Sequence, residues 1–262
     1  MTEITAEQVK ALREKTGQSM MECKKALVEA HGDPAVAMDL LRKKGLSDAT
    51  KRAARTTKEG LVAIRGAGNA AAMVEVVCET DFCARNAEFR AMVQKVAELA
   101  AQGPAGPIPA TAEITEAVQA CFNKIHENMR FGRGIKIAAP KVATYLHHNS
   151  KVGVLLGIEG DLPAELLNDL CMHIAFSDPL AIRPEELPAE LVAKERQLAL
   201  EQAQESGKPP AVQEKIVQGK VGKFLAANAL LEQPFVKDEK KKVKDVLGPA
   251  KITAFARFQV GP

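Results

Sequence analysis

The chain has 262 residues, enough for two or three compact units, and its abundance of Ala, Leu, Val, Lys and Glu predicts a mostly helical protein. Its 36 basic and 33 acidic side chains nearly balance, which argues against a protein that coats nucleic acid, because neutralising phosphates needs a concentrated basic face. The odd number of cysteines, the lack of a basic-then-apolar signal segment and the lack of an apolar span of about 20 residues predict a reduced, soluble, cytoplasmic protein.

Three helix-start signals follow one another near the N-terminus. They are Thr5 with Gln8, Ser19 with Glu22, and Asp33 with Pro34. The three helices should end near Gly17, at residues 31–32 and at Gly45, where glycines can adopt the left-handed conformation of a helix terminus. The pattern predicts a compact three-helix module.

The next segments predict a connector, a hairpin and a helix. Residues 46–60 are basic with few large apolar side chains, which predicts a solvated connector. Two β-rich runs at 61–65 and 72–79 flank a glycine-containing turn and predict a hairpin. Residues 87–102 carry an apolar stripe at three- and four-residue spacing, so this helix can cover one face of the sheet.

The same order of elements then recurs. Residues 103–110, rich in Pro and Gly, predict an irregular link before a helix at 113–128. Residues 141–147 and 151–159 predict a second hairpin, and 163–176 predict a second helix. Two hairpin-plus-helix units indicate an internally duplicated core.

The C-terminal third combines helices with a last strand. Residues 184–232 are helical in pattern with a break at 206–210, which predicts a helical hairpin. Residues 240–247 predict a short basic helix. Residues 252–260 alternate apolar side chains on one face, as expected of a half-buried strand that joins the second sheet. The predicted fold class is α+β.

Several stretches resemble the elongation factor Ts family. The first contains Thr16-Gly17, Met20-Met21 and Cys23-Lys24-Lys25-Ala26-Leu27, and the second is Cys78-Glu79-Thr80-Asp81-Phe82 followed by Ala84-Arg85-Asn86. Further similar stretches are residues 145–153, Met172-His173-Ile174-Ala175, Ser206-Gly207-Lys208-Pro209 and Gln233-Pro234-Phe235-Val236. The likeness therefore covers essentially the whole chain in order.

The resemblance implies a division into domains. It implies an N-terminal UBA-like domain with its linker at 1–55. The duplicated α+β core of antiparallel sheets with helices follows as 56–140 and as 141–183 with 233–262. An inserted helical hairpin, a coiled coil used for dimer contacts, occupies 184–232.

The resemblance also implies the function. The family binds elongation factor Tu in its GDP state and promotes a nucleotide-free complex, so the chain is expected to be a guanine nucleotide exchange factor in translation elongation. Neither G-x-x-x-x-G-K-[ST] nor a strand-linked G-x-G-x-x-G is present, so the GDP and Mg²⁺ should be held by the partner. We expect no covalent chemistry, no cofactor or metal of its own, and no direct contact with nucleic acid or membrane.

Phe82 lies between a predicted strand and a predicted helix. From the residues alone it could pack in the core or remain exposed, and Thr80 and Asp81 could cap the helix. The resemblance implies an exposed probe, in which Phe82 wedges between partner side chains near the magnesium site and Asp81 perturbs the polar network around the metal. Thr80 is expected to cap rather than to touch the partner. Cys78 and Cys83 should be small buried side chains.

A second contact is implied for the N-terminal domain, through Val9, Lys10, Met20 and Met21, with the nucleotide domain of the partner. Adjacent helical residues diverge by about 100°, so at most one of the two methionines should be fully buried. Met is flexible and polarizable, which suits an adaptable binding surface.

A third contact is implied at the turn of the second hairpin, which is one residue longer than the usual turn of the family. His147 is the favoured contact residue and His148 the alternative. A metal site is not expected, because neighbouring strand residues point to opposite faces and no Cys or carboxylate is placed to complete a site.

The rival interpretation is a ribosome- or RNA-associated accessory protein. It is motivated by basic clusters, which are residues 51–58, Arg130-Phe131-Gly132-Arg133 and residues 240–244. Such clusters are more often solvated faces.

Overall fold

The protein is described by a computed structural model for residues 4–52, 55–205 and 207–261, without the side chains of residues 46 and 48–52. Its helices are α1 (Ala6–Thr16), α2 (Met20–Glu29), α3 (Pro34–Arg52), α4 (Asp81–Arg85), α5 (Ala87–Gln102), α6 (Ala112–Ile125), α7 (Ala164–Ser177), α8 (Ala189–Glu205), α9 (Pro210–Asn228) and α10 (Val243–Val246). Its strands are β1 (Glu59–Ala67), β2 (Ala70–Cys78), β3 (Gly106–Pro107), β4 (Met129–Ala138), β5 (Lys141–Leu146), β6 (Val152–Glu159), β7 (Pro234–Phe235), β8 (Asp238–Lys242) and β9 (Lys251–Gln259). The predicted α+β class is confirmed.

The three N-terminal helices begin at the predicted capping residues. Thr5 Oγ accepts the backbone N–H of Gln8 while the Gln8 side chain accepts that of Thr5, and Gly17 ends α1 with φ of 69°. Ser19 and Asp33 accept backbone N–H groups at the starts of α2 and α3. The three helices share a core of Val9, Leu12, Cys23, Ala26, Leu27, Ala30, Ala37 and Leu41.

The predicted end of the third helix at Gly45 is wrong, because α3 continues to Arg52. Gly45 is buried against α6, and a Cβ atom at this position would lie 2.4 Å from Asn123 Oδ1. The glycine therefore permits a close approach of two helices and does not end one. The first part of the predicted connector at 46–60 is consequently helical, and residues 53–54 of it lie outside the described residues.

The first sheet has the strand order β1-β2-β4-β3, and its β1–β2 hairpin confirms the first predicted hairpin. Strand β4 pairs antiparallel with β2. The sequence pattern predicts no strand here and marks residues 130–133 only as a basic cluster. Arginines and glycines separate the apolar residues of β4, so the alternation typical of a strand is weak. The predicted irregular link contributes the short strand β3.

The second sheet has the order β5-β6-β9, so the second hairpin and the joining of the last strand are both confirmed. The two sheets pack face to face, and the residues between them include Val62, Ala71, Met73, Ile137, Val142, Leu155, Ala256 and Phe258. Gly153 permits a close approach of the two sheets, since a Cβ atom there would be 2.7 Å from Val62 Cγ1 and 2.8 Å from Met73 Sδ. Helices α5 and α6 cover the outer face of the first sheet, and α7 covers that of the second.

Helices α8 and α9 pack against each other around Ala199, Ala203 and Val217. The predicted break between them begins at residue 206, which lies outside the described residues. The short basic helix predicted at 240–247 is wrong in its first part, because residues up to Lys242 form β8, which pairs with β7, and only one turn of helix follows. In the described part of the chain, no helix combines the length and apolarity needed to cross a membrane.

A buried histidine links α7 to the segment that follows α9. The Nδ1 atom of His173 accepts the backbone N–H of Val236 at 3.2 Å, so its Nε2–H donates to Gln233 Oε1 at 2.9 Å. Gln233 Nε2 in turn donates to the Ala227 carbonyl at 2.7 Å, near the end of α9. The network holds the helix pair against the core.

This network predicts a loss of stability in mild acid. Burial lowers the pKa of His173 below 6.5, although the hydrogen bond to Gln233 opposes the shift. The unfolded chain therefore takes up the proton first, so the free energy of unfolding should fall as the pH drops below about 6.5 and through the lower pKa of the folded state. Urea unfolding at pH 7.5 and 5.5 measures this difference. His173→Gln should reduce it, and an equal difference in that variant would contradict the assignment.

Candidate functional site

Phe82 is exposed at the start of a short helix. It is the second residue of α4, a helix of five residues between β2 and α5, and 78% of its surface is open to solvent. The next two residues, Cys83 and Ala84, are buried and fix α4 on the first sheet. Because α4 is packed on the sheet, it keeps the aromatic ring of Phe82 exposed to solvent, where a partner can contact it.

Thr80 caps this helix, as predicted. Its Oγ atom accepts the backbone N–H of Cys83 at 3.1 Å and donates its own proton to the carboxylate of Glu127, with oxygens at 2.9 and 3.0 Å. The side chain of Thr80 is therefore fully engaged within the protein.

Asp81 is the first residue of α4 and its side chain is 42% exposed. Its carboxylate lies 3.1 Å from the guanidinium of Arg85, one helical turn away. A surface pair at this spacing contributes only about 0.3–0.5 kcal/mol, so the carboxylate can exchange Arg85 for another partner with little loss of free energy.

A turn from elsewhere in the chain supports the start of this motif. The backbone N–H of Asn128 donates to Glu79 Oε1 at 2.6 Å, and Asn128 Nδ2 donates to the Arg55 carbonyl at 2.8 Å. Asn128 is buried. The sequence does not predict this support, because no local pattern marks Glu127 or Asn128 as neighbours of residues 79–80.

The cysteines beneath α4 are small buried side chains, as predicted. Cys78 and Cys83 are both buried, and the hydrogen bond from Cys78, followed by burial, raises the pKa of the Cys83 thiol. Burial also raises the pKa of the nearby Cys121 thiol to about 12. The thiols of Cys83 and Cys121 therefore remain protonated at neutral pH and serve as packing groups rather than nucleophiles.

The structure separates the four predicted contact residues of the N-terminal module. Met20 and Met21 are 44% and 62% exposed at the start of α2, and Lys10 is exposed on α1. Val9 is instead buried in the core of the module with Leu12. Its side chain faces α2 and α3, so the expectation that it meets a partner has no support from its position.

The start of α2 lies close to the end of α6. A cleft between them is lined by residues that include Ser19, Glu22, Phe122 and His126. The ion pair with Lys44 lowers the pKa of the Glu22 carboxyl. Glu127 follows His126 directly and binds Thr80, so the start of α2 and the start of α4 both lie next to the turn at residues 126–127.

His147 and His148 lie in the turn between β5 and β6. The hydroxyl of Tyr145 is 2.8 Å from His147 Nδ1, and the two imidazole rings have centroids 4.2 Å apart. The expectation that they point to opposite faces is wrong, because both lie beyond the end of the strand. Among the described residues, no group of three or more His, Cys, Asp and Glu side chains could hold a metal ion.

The same turn lies against the edge of the first sheet. The backbone N–H of Val62 donates to the Ser150 carbonyl at 2.7 Å, and Lys151 forms an ion pair with Glu59 at 2.5 Å. Glu59 pairs with Cys78 on β2, and Cys78 lies two residues before Thr80, the capping residue of α4. The turn of the second hairpin therefore lies next to the end of β2 from which α4 begins, and Glu127 links α4 to the turn beside the start of α2.

The comparisons with known proteins point to one family. A family model described as "Elongation factor TS" matches residues 79–262. Elongation factor Ts of Tolumonas auensis is 42% identical in a match that covers 100% of this chain and 92% of that protein. The proteins of the same name from Aromatoleum aromaticum and Rhizobium rhizogenes are 46% and 42% identical, with 100% and 99% of this chain and 92% and 91% of theirs covered.

Proposed function

The chain belongs to the elongation factor Ts family, and from this premise we propose that Asp81 and Phe82 are the residues that act on the nucleotide site of its partner. Its function is guanine nucleotide exchange on elongation factor Tu during translation elongation. It is an exchange factor and not an enzyme, it needs no cofactor of its own, and it acts in the cytoplasm with the translation machinery.

The exchange function has a defined thermodynamic form. A factor that binds both nucleotide states cannot change the free-energy difference between them, but it can open a faster route by stabilising the nucleotide-free partner. The coupling is reciprocal, so GDP must weaken the factor by the same ratio by which the factor weakens GDP. Each tenfold of coupling corresponds to about 1.4 kcal/mol.

The exposure of Phe82 on a docked helix is the observation that carries the proposal. Burying a phenylalanine ring in a partner contributes about 1.5–3 kcal/mol, which can be used to separate side chains near the magnesium site. Asp81 brings a negative charge to the same place. Mg²⁺ bridges phosphate oxygens, so a disturbance of the groups that support the ion weakens the binding of GDP.

We propose that two flanking surfaces hold the partner while this happens. Lys10, Met20 and Met21 offer an exposed surface of the N-terminal helices for the nucleotide domain. At the turn of the second hairpin, Tyr145 orients the ring of His147 while His148 is exposed. We therefore propose both His147 and His148 as residues that contact the partner.

We also propose the division into domains at 1–55, 56–140, 141–183 with 233–262, and 184–232. The last segment carries leucines that are exposed on α8, of which Leu191 and Leu198 are seven residues apart. This spacing places them on one helix face, which is suited to a homodimer contact.

The basic clusters behind the RNA-binding alternative are partly neutralised. Glu232 accepts from Lys242 and Lys244 at 2.6 and 2.8 Å, and these hydrogen bonds lower the pKa of the Glu232 carboxyl. Arg133 binds Glu75 at 2.8 Å. The side chains of residues 51–54 lie outside the described residues. Because phosphate binding needs uncompensated positive charge, these contacts favour the exchange function.

The direct test follows the release of a fluorescent GDP analogue from elongation factor Tu in an excess of unlabelled GDP. Substoichiometric amounts of the chain should accelerate release, because each molecule serves many partners. Unchanged release together with salt-dependent binding of labelled RNA would favour the alternative.

A further inference from the structure

Glu127 holds the residue that introduces the proposed probe. Both of its carboxylate oxygens lie within 3.0 Å of Thr80 Oγ, although the two residues are 47 positions apart in the sequence. A hydrogen bond to a carboxylate is shorter and stronger than one between neutral groups. The contact therefore ties α4 to the turn after α6.

This contact fixes the direction in which α4 leaves the sheet. A threonine hydroxyl has one proton, and here Glu127 accepts that proton. A lone pair of Thr80 Oγ accepts the Cys83 N–H at 3.1 Å. With both interactions made, the Thr80 side chain has one orientation, and its backbone is held at φ −125° and ψ 156°. Loss of the carboxylate would leave the Thr80 side chain held by the Cys83 N–H alone.

The turn that carries Glu127 is itself held in place. His126 adopts a left-handed conformation with φ of 60° and ends α6. The next residues then face the motif, since Glu127 meets Thr80 and the Asn128 N–H meets Glu79 at 2.6 Å. A helix of five residues cannot maintain its own orientation, so the pose of Phe82 depends on contacts outside α4. These are the packing of Cys83 and Ala84 on the first sheet and the anchor from Glu127 to Thr80.

We propose that Glu127 is a positioning residue of the exchange reaction, which acts through Thr80 to hold Phe82 and Asp81 toward the partner. The inference rests on the proposed function of that pair. The exposed surfaces of the N-terminal helices and of the 147–150 turn capture the partner, whereas the pair acts in the step that expels GDP. Loss of the anchor should therefore lower the maximal rate of GDP release more than it raises the half-saturating concentration of factor.

The test measures stimulated GDP release over a range of factor concentrations. Glu127→Ala should lower the maximal rate about tenfold, because one charge-assisted hydrogen bond is lost, and should shift the half-saturating concentration by less than about twofold. Glu127→Gln retains an oxygen that can accept the Thr80 proton and should recover most of the rate. Glu113→Ala, an exposed glutamate at the other end of α6, is the matched control and should be unchanged.

A second variant separates positioning from direct contact. In a Thr80→Val background, Glu127→Ala should cause no further loss, because the hydrogen bond is already absent. A further loss of equal size, or a Glu127→Gln variant as slow as Glu127→Ala, would overturn the inference, and so would full activity of Glu127→Ala. If Phe82→Ala is slow while Glu127→Ala is not, the inference alone fails. If neither is slow, the proposed function of the pair fails as well.

Discussion

Phe82→Ala should slow factor-stimulated GDP release from elongation factor Tu by about 10- to 100-fold, which corresponds to the 1.5–3 kcal/mol expected from burying a phenylalanine ring. The side chain is 78% exposed in the free protein, so its removal leaves no cavity in the core. Thermal unfolding and circular dichroism should therefore remain as in the wild-type protein. The loss should appear in the exchange rate alone.

Phe176 provides a matched control for this substitution. It is 81% exposed near the end of α7, so Phe176→Ala removes a ring of equal size and similar exposure from another surface. We expect Phe176→Ala to stimulate GDP release at the wild-type rate. Equal rates for Phe82→Ala and the wild-type protein would contradict the role of Phe82 as the probe.

Asp81→Asn should slow stimulated release by about tenfold, because it removes the charge that perturbs the magnesium site while it keeps the shape of the side chain. Loss of the surface ion pair with Arg85 has only a small effect on stability. Arg85→Ala is the matched control, since it breaks the same pair and leaves the carboxylate. A slow Arg85→Ala variant with an unaffected Asp81→Asn variant would show that Arg85, rather than the carboxylate, acts on the partner.

The sequence predicts those helices and strands whose determining residues lie close together along the chain. The capping residues Thr5, Ser19 and Asp33 and the alternation within both hairpins depend on neighbours a few residues away, and the structure confirms them. Gly45 and β4 were misassigned because long-range packing decides their structure. Gly45 is needed where α3 closely approaches Asn123 on α6, and β4 is a strand because it pairs with β2.

The site shows the same division between local and distant determinants. The cap at Thr80 was predicted, but the exposure of Phe82 depends on which face of α4 docks on the first sheet, and that face is defined by the burial of Cys83 and Ala84. Val9 was assigned to a partner contact by resemblance, whereas its three-residue spacing from Leu12 is typical of a core face. The contact from Glu127 could not be predicted, because nothing near it in the sequence refers to Thr80.

The most direct test of how Asp81 and Phe82 act is the magnesium dependence of GDP release, measured with the wild-type factor and with Asp81→Asn. If Asp81 acts on the groups that hold Mg²⁺, the variant should be slower in millimolar Mg²⁺, and the difference should largely disappear when the metal is chelated, because the interaction that it disturbs is then absent. A deficit of the same size with and without Mg²⁺ would contradict the mechanism.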